Sequence, residues 1–452
     1  MLFNKNNRID LNGMDCLMMA FDYQMRKTGF AGNLAQIVLG LPVHLPESKF
    51  KSRVSALVQQ YPILNAPLKR KLFTRIPYWE TIPGRSNGYP AVEVHYRKEN
   101  TEQDAERAIL KQKLFNRPMK PKEGEQIRFD LIYYSRGGME IVMTWVHALM
   151  DAHGAEYFLS MIGNPGIAGK AAVERSGHAS PRRDQNCIAG NNTIEKKWPM
   201  AQKSFDHIDR LALNPPVSLF SHFHRFSKSR QNYQITFFTP EETRQILTLA
   251  RKTCGLFNES TYFAASTLYD LKKLYHSKNV KSDSYVLSLP VNLRKKGTYC
   301  PVFSNQSTSL LYSFNADELK DFETVAEHFK TQTQDAIKKD LLKANLSVME
   351  LSRFLPTWFY IKKVKQAMKG EIASLIFANP GPVYSGLSTF MEEKVDYLHH
   401  LPMIVTPPGI GVLFYQFSGK LYITLVYTEG ILSREEAEGF IHGIRIHLLN
   451  GK

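Results

Sequence analysis

The stretch WVHALMDAHG, residues 145–154, follows an apolar segment and precedes a helical one. This placement puts His147 at the end of a predicted strand, where loops open into functional sites. An imidazole with a pKa of about 6.5 accepts a proton from an alcohol or amine near neutral pH. Asp151 is placed to fix the loop or the ring, and Gly154 to permit backbone angles closed to other residues. The spacing alone is a weak signal, since a structural histidine beside a turn also fits it.

Upstream of this stretch, apolar periodicity predicts alternating strands and helices. Strands are expected at 31–42, 72–79, 91–96, 127–134 and 139–146, and helices at 46–60, 102–114 and 155–161. The last two strands are joined by a hairpin turn, Ser135-Arg136-Gly137-Gly138. Tyr61-Pro62 ends the first of these helices, because a residue before proline avoids the α region.

A polar segment rich in Gly, Ser, Asn and charge, residues 164–203, is predicted to be a linker or surface loop. Beyond it, strands are expected at 232–238, 284–289, 307–313, 411–418 and 421–427, and helices from 240, at 261–276, 322–342 and 433–449. The predicted fold is therefore α/β (α+β), with subdomains at 1–163 and 204–452. Each subdomain is expected to contain a mixed, largely antiparallel sheet with helices.

Composition limits the class of protein. The chain has 452 residues, 43% hydrophobic and 22% charged, which is typical of a globular protein. No secretory signal and no run of 18 apolar residues is visible, so a cytoplasmic protein is expected. The four cysteines are scattered without a CxxC pair, and no metal-binding motif is present, so neither disulfides nor a metal is predicted. They are Cys16, Cys187, Cys254 and Cys300.

The net charge of +16 favours an anionic partner. Nucleic acid, an anionic membrane surface, a CoA nucleotide and an acidic carrier protein all satisfy this charge. No basic and aromatic module typical of nucleic-acid binding is recognisable, which disfavours the first. A generally basic surface without a specific partner also fits.

The 145–154 stretch resembles the H-x-x-x-D-G signature of a superfamily that includes chloramphenicol acetyltransferases, condensation domains and wax ester synthases. Three further segments resemble that superfamily in the same order: residues 21–66, residues 114–131 and SLPVNLRKKGTYCPVFSNQSTSLL, residues 288–311. The resemblance implies two chloramphenicol-acetyltransferase-like subdomains with the active-site channel between them. It also implies acyl transfer from a thioester to an alcohol or amine acceptor, without a covalent acyl-enzyme.

The same resemblance implies residue roles. His147 would be the general base, and Asp151 would form a structural salt bridge, with Arg294 as the expected bidentate partner. Asn305, Ser307 and Thr308 are candidates to position substrate or to donate hydrogen bonds to the oxyanion. An ordinary strand start with capping polar groups is the alternative for these three.

Two positions depart from the superfamily pattern. Val146 replaces the first of two adjacent histidines, and Ala152 replaces the glycine after the aspartate, where a methyl group could narrow the channel. His153 is an extra imidazole beside the motif, and a solvent-facing position at the helix start is expected for it. The D-F-G-W-G motif of plant members is absent.

The sequence thus predicts an acyltransferase with no permanently bound cofactor. Acyl-CoA or a phosphopantetheinyl carrier protein would be the co-substrate, and peripheral contact with the inner face of a membrane stays open. A catalytically silent relative that binds a carrier or partner protein is the alternative. The sequence does not determine the acyl chain, the acceptor, the pathway or the oligomeric state. It also does not determine whether the donor is CoA or a carrier protein, or whether the product is an ester or an amide.

Overall fold

The computed structural model describes residues 7–82, 84–85, 87–97, 101–167, 194–223, 229–255, 259–295 and 297–451. Its helices are α1 (Gly13–Lys27), α2 (Glu47–Gln60), α3 (Thr101–Phe115), α4 (Ala152–Gly163), α5 (Ile194–Leu211), α6 (Leu219–Phe223), α7 (Pro240–Cys254), α8 (Glu259–Ser277), α9 (Phe322–Lys338), α10 (Leu341–Ser352), α11 (Thr357–Ala367) and α12 (Arg434–Asn450). Short 3-10 helices lie at Pro62–Asn65, Ala316–Leu319 and Ser385–Leu387.

The first sheet has five strands in the order β14, β2, β7, β6, β5. They are β2 (Leu34–Leu41), β5 (Ala91–Arg97), β6 (Ile127–Tyr134), β7 (Met139–Val146) and β14 (Tyr397–Pro402). All neighbours are antiparallel except β5 and β6. Every residue of β2, β6 and β7 is buried, which indicates that both faces of the sheet are covered. Strand β14 comes from the second half of the chain, so this sheet does not stop at the subdomain boundary drawn from the sequence.

The second sheet has six strands in the order β10, β9, β11, β15, β16, β8. They are β8 (Gln231–Phe237), β9 (Ser284–Asn292), β10 (Ser307–Asn315), β11 (Leu375–Pro382), β15 (Ile410–Phe417) and β16 (Lys420–Thr428). Between β11 and β14 along the chain, β12 (Thr389–Phe390) and β13 (Glu393–Lys394) form a separate two-stranded sheet. Strand β11 runs parallel to both its neighbours, and the other pairs are antiparallel. The expected class is confirmed: two mixed, largely antiparallel sheets with helices, whose apolar residues form one continuous main core.

Local signals fix several helix ends. Thr239 caps α7 through a capping box with Glu242, and Pro240 occupies the first helical position. Ser433 and Glu436 form the same reciprocal arrangement at the start of α12. In each case a side-chain oxygen satisfies a backbone N–H that the first turn leaves without a helical partner.

Three predicted elements need correction. The strand expected at 72–79 is instead a hairpin of β3 (Leu68–Arg70) and β4 (Pro77–Glu80), which extends onto β1 (Arg8–Asp10). Its turn holds Arg75 in the left-handed region, at a φ of 58°. The helix expected at 322–342 ends at Lys338, because Asp340 is also left-handed and starts α10 in a new direction.

The predicted linker, 164–203, lies largely outside the described residues, and its end is not a loop, because α5 begins at Ile194. Of the cysteines, Cys16, Cys254 and Cys300 form no disulfide among the described residues, and Cys187 lies outside them. Among the helices described, none has the length and apolar character needed to cross a membrane.

Candidate active site

A predominantly apolar cavity of about 430 Å³ lies between the two halves of the chain. The first half contributes α1, the end of β7 and the start of α4, and the second half contributes β9, β10, α10, α11 and β15. Polar side chains of both halves, among them His147, His153, Ser307 and His400, lie in its wall. The volume is in the range of small-molecule sites, and an apolar wall with a few polar groups is typical of them.

His147 follows directly on β7 and is held by its backbone. Its N–H donates to the Asn33 carbonyl at 3.0 Å, and its own carbonyl accepts from Asn305 Nδ2 at 2.8 Å. The ring lines the cavity, and its buried Nδ1 has no aligned hydrogen-bond partner among the described residues. Burial lowers the pKa of His147 below its ordinary value. Its own carbonyl, Asp151 and Asn305 act in the opposite direction but do not cancel the effect of burial. The imidazole is therefore neutral near pH 7 and free to accept a proton.

Asp151 fixes the loop between His147 and α4. Oδ1 caps the helix by accepting from the Gly154 N–H at 2.9 Å. Oδ2 accepts from Arg294 Nη1 at 2.6 Å and from the Gln306 N–H at 2.8 Å. The carboxylate thus joins the first half of the chain to the β9–β10 connection of the second half. It makes no hydrogen bond to the His147 ring, so it orients the loop rather than the imidazole.

Arg294 pairs with Asp151 through one nitrogen only, so the expected bidentate geometry is wrong. Its Nη2 instead donates to the carbonyls of Pro301 and Ser304, at 3.1 and 3.4 Å. With 2% of its side chain exposed, Arg294 is a buried cation that holds its own loop and the opposite subdomain together. The charge-assisted contact and the two carbonyl bonds offset the cost of burying the guanidinium.

The three oxyanion candidates are placed differently. Both hydrogens of Asn305 Nδ2 are used, by Asp15 Oδ1 and by the His147 carbonyl, each at 2.8 Å, so Asn305 positions the loop and is not an oxyanion donor. Thr308 is fully buried and does not line the cavity, because successive residues of a strand face opposite sides. Ser307 does line it.

Asp15, near the start of α1, is a partner that the sequence analysis missed. Its Oδ1 accepts from the backbone and side chain of Asn305, and Oδ2 accepts from the Asn12 N–H at 3.0 Å. Burial raises the pKa of Asp15 to about 7 despite these bonds. The spacing of Asn12 and Asp15 signals a helix start, but nothing in it signals a contact 290 residues away.

A second polar cluster borders the cavity, with His153 and His400 in the wall and Glu156 buried beside them. Glu156, 1% exposed, lies 3.9 Å from His153 Nδ1 and 3.0 Å from His400 Nε2, and it accepts from the Tyr384 N–H at 2.9 Å. The His400 contact lacks hydrogen-bond alignment. The side chain of His153 is 16% exposed and lines the cavity, so the solvent-facing position expected for it is wrong.

The charges in this cluster stabilise one another. Burial alone would raise the pKa of Glu156, but bonding and attraction from His153 and His400 lower it to about 2. Burial would likewise lower the pKa of His153, but Glu156 raises it above its ordinary value. An ionised carboxylate therefore lies beside an imidazole whose protonated form it favours, next to the loop that carries His147.

Glu156→Gln is expected to reduce the free energy of unfolding, on the order of 1–3 kcal/mol, by removing this buried charge. A depressed carboxyl pKa stabilises above its unfolded value, 4.5, and the benefit disappears as pH falls toward about 2. A raised histidine pKa stabilises below 6.5, and that benefit disappears as pH rises through the folded value. In urea unfolding, the difference in unfolding free energy between wild type and Glu156→Gln should therefore be largest in the pH range between 4.5 and 6.5. A pH-independent difference would contradict the assignment.

Gly154 is required by close packing, not by its backbone angles. Its φ is not in the left-handed region, which corrects the expectation from the sequence. A Cβ at this position would lie 2.3 Å from the Val302 carbonyl oxygen, in the loop that Arg294 holds. The absent side chain therefore lets the 301–304 segment approach the start of α4.

Gly154→Ala is expected to destabilise the protein by about 1–3 kcal/mol, since backbone must shift to relieve the overlap. Gly439→Ala in α12 is the matched control, because no heavy atom lies within 4 Å of its added Cβ. That variant should be neutral or stabilised by about 0.5–1 kcal/mol through helix propensity. Equal unfolding midpoints for the two variants in urea would contradict the packing argument.

One further cluster has the composition of a metal site. Glu93, His95 and Asp130 offer ligand atoms within 4.8 Å of one another. Arg117 donates to both oxygens of Glu93 at 2.6 Å, and His95 Nε2 contacts Asp130 at 2.9 Å. These groups are already paired, so we assign no metal to them.

No protein-family model and no curated protein matches this sequence. Solved structures do match over almost the whole chain. The trichothecene 15-O-acetyltransferase of Fusarium sporotrichioides has a TM-score of 0.68 at 12% identity, covering 98% of this chain and 95% of that one. The first condensation domain of the calcium-dependent antibiotic synthetase, in complex with a substrate analogue, has a TM-score of 0.68 at 13% identity. The match covers 99% of this chain and 97% of that one.

A mutant starter condensation domain of rhizomide synthetase, in complex with C8-CoA and Leu-SNAC, is also similar. Its TM-score is 0.64 at 11% identity, and the match covers 98% of this chain and 94% of that one. At these identities the likeness concerns the fold. The chain therefore has the fold of these condensation domains and of the trichothecene acetyltransferase.

Proposed function

We propose that the protein is an acyltransferase that moves an acyl group from a thioester to an alcohol or amine. The observation that carries the proposal is the imidazole of His147, kept neutral by burial, in a largely apolar cavity lined by both halves of the chain. The fold shared with a trichothecene acetyltransferase and with condensation domains supports the same class of reaction.

In the proposed reaction, Nε2 of His147 takes the proton of the acceptor O–H or N–H while the acceptor atom attacks the thioester carbonyl. The tetrahedral intermediate carries the negative charge on the former carbonyl oxygen. When the C–S bond breaks, the proton passes from the imidazolium to the leaving thiolate, which departs as a thiol. The backbone carbonyl of His147 and the Asp151 carboxylate stabilise the protonated ring.

Ser307 and His153 are the donors that we assign to the oxyanion. Both line the cavity, whereas Asn305 and Thr308 are occupied or turned away. Glu156 raises the pKa of His153 and so favours a ring that can donate a hydrogen bond toward the cavity. Asp151, Arg294 and Gly154 serve this site by fixing the loop that carries His147.

The co-substrate in this proposal is acyl-CoA or the phosphopantetheine arm of an acidic carrier protein. The net charge of +16 suits either donor, and also peripheral contact with an anionic membrane. Ester formation is favoured over amide formation, because residues 288–311 resemble wax ester synthases more closely. No step of the reaction requires a permanently bound cofactor.

Thiol release from acyl-CoAs and acyl-carrier proteins, each with mixed alcohols and with mixed amines, tests the proposal. Release that requires an acceptor, with the acylated acceptor found by mass spectrometry, would support the transferase and identify the donor class. Release without an acceptor would indicate a thioesterase instead. Tight carrier-protein binding without release by any donor would indicate the silent carrier-binding alternative, which the Ala152 departure favours.

A further inference from the structure

The β3–β4 hairpin presents apolar side chains to solvent at its tip. Leu72 is 86% exposed and Phe73 is 93% exposed, which are the largest values among the described large apolar residues. The turn is nonetheless closed, since the Lys71 N–H donates to the Ile76 carbonyl at 3.0 Å and the Arg75 N–H to the Lys71 carbonyl at 3.1 Å. Two adjacent apolar side chains held outward on an ordered turn indicate an interaction site rather than core packing.

Helix α11 and the turn before it add aromatic residues beside this hairpin. Trp358 is 54% exposed and Phe354 is 42% exposed. Arg70 in β3 donates a hydrogen bond to Thr357, the first residue of α11, and so ties the two segments together. We call residues 69–75 together with 353–370 the basic-aromatic surface.

This surface is cationic throughout. Residues 69–75 contain Lys69, Arg70, Lys71 and Arg75, residues 353–370 contain Arg353, Lys362, Lys363, Lys365 and Lys369, and neither segment contains an acidic residue. Glu80, Asp10 and Glu350 outside the segments pair with Lys69, Lys71 and Arg353. Among described residues, Arg75, Lys362, Lys363 and Lys369 have no ion-pair partner. Unpaired cations beside exposed Leu, Phe and Trp are the composition of interfacial membrane-binding segments.

The segment around α11 also separates this surface from the cavity. Tyr360, Val364, Ala367 and Met368 line the cavity. Trp358 and Lys362 fall on the opposite side at helical spacing and are exposed, and Lys369, just beyond the end of α11, is also exposed. A ligand dissolved in an apolar phase at this surface would lie one helix away from the apolar wall beside His147.

We propose that the basic-aromatic surface docks on a membrane that contains anionic lipids, with Leu72, Phe73 and Trp358 entering the interface and the cations facing the headgroups. A lipid surface fits better than nucleic acid, because the apolar side chains are extended at a turn rather than arranged as a stacking groove. The docking goes beyond acyl transfer and is independent of it, since binding requires no turnover.

Sedimentation of the full chain with vesicles tests the docking. Vesicles of phosphatidylcholine with about one third phosphatidylglycerol should bind the protein. Added salt should weaken this binding, and vesicles made of phosphatidylcholine alone should bind the protein less tightly. The double variant L72S/F73S should lower the partition coefficient about a hundredfold, since each side chain loses the burial gained in the interface. Lys362→Gln with Lys369→Gln should lower it about tenfold or more at low salt.

Leu213→Ser is the control for the apolar tip, because Leu213 is 82% exposed but lies after α5, outside the surface. Lys252→Gln, exposed on α7, is the control for the charges. Equal loss in control and test variants, or no binding by the unmodified chain, would overturn the proposal. The proposal would also be overturned if random duplex DNA abolished vesicle binding while the L72S/F73S substitution left vesicle binding unchanged. Thiol release from soluble donors should be unaffected by L72S/F73S, so the docking and the acyl-transfer proposal fail separately.

Discussion

Replacing His147 by alanine is expected to lower acceptor-dependent thiol release by about 10²–10⁴-fold, the usual contribution of a general base. The aligned hydrogen bonds of His147 run through its backbone N–H and carbonyl, so removal of the side chain should leave the hydrogen-bond network of the loop intact. The measurement is kcat at saturating acyl donor and acceptor, with circular dichroism to confirm that the variant folds.

His328→Ala is the matched control, because this imidazole lies on α9, with 42% of its side chain exposed, and does not line the cavity. It should retain the full rate. If His147→Ala and His328→Ala release thiol equally fast, proton transfer by His147 is not part of the reaction. A large loss in His147→Ala with wild-type folding supports the assignment.

Arg294→Met is expected to reduce the free energy of unfolding by about 3–5 kcal/mol, because it leaves the Asp151 carboxylate without its buried cation. It also removes the donor to the Pro301 and Ser304 carbonyls. Activity should fall with stability, since the same carboxylate holds the His147 loop. Urea unfolding followed by fluorescence measures the loss. Arg434→Met, which breaks the exposed pair with Glu438, should change little.

A double-mutant cycle separates the ion pair from the other contacts of Arg294. Asp151→Asn combined with Arg294→Met should cost less than the two single substitutions added together, because the double variant leaves no unpaired buried charge. Strict additivity of the three unfolding free energies would show that the two side chains do not interact energetically. The double variant should still be inactive, since the loop has lost its attachment.

The motif could be located from sequence because its signals are local. The apolar run in residues 139–146, the turn and the following helical period place His147 and Asp151 at a strand-to-helix connection, and the structure has that connection. Cap patterns at Thr239 and Ser433 depend on residues three apart and were equally readable. The pairing of Arg294 with Asp151 spans 143 residues and came only from the family resemblance.

What the sequence could not supply depends on contacts distant along the chain. The approach of Val302 to Gly154, the Asp15–Asn305 bond and the Glu156–His400 contact join residues that no local pattern relates. The β3–β4 turn was missed for a different reason. Its apolar residues suggest a strand, and the left-handed residue at the turn is arginine rather than glycine.

The pH dependence of kcat/KM, for wild type and for His147→Ala, tests most directly whether His147 is the base of this site. Burial lowers the pKa of His147, so its neutral form persists below the ordinary value of 6.5. The wild-type rate should be flat near neutrality and fall tenfold per pH unit only at a pKa below that value. The residual rate of His147→Ala should lack this acidic limb. The same limb in both proteins, or a wild-type limb above 6.5, would contradict the account.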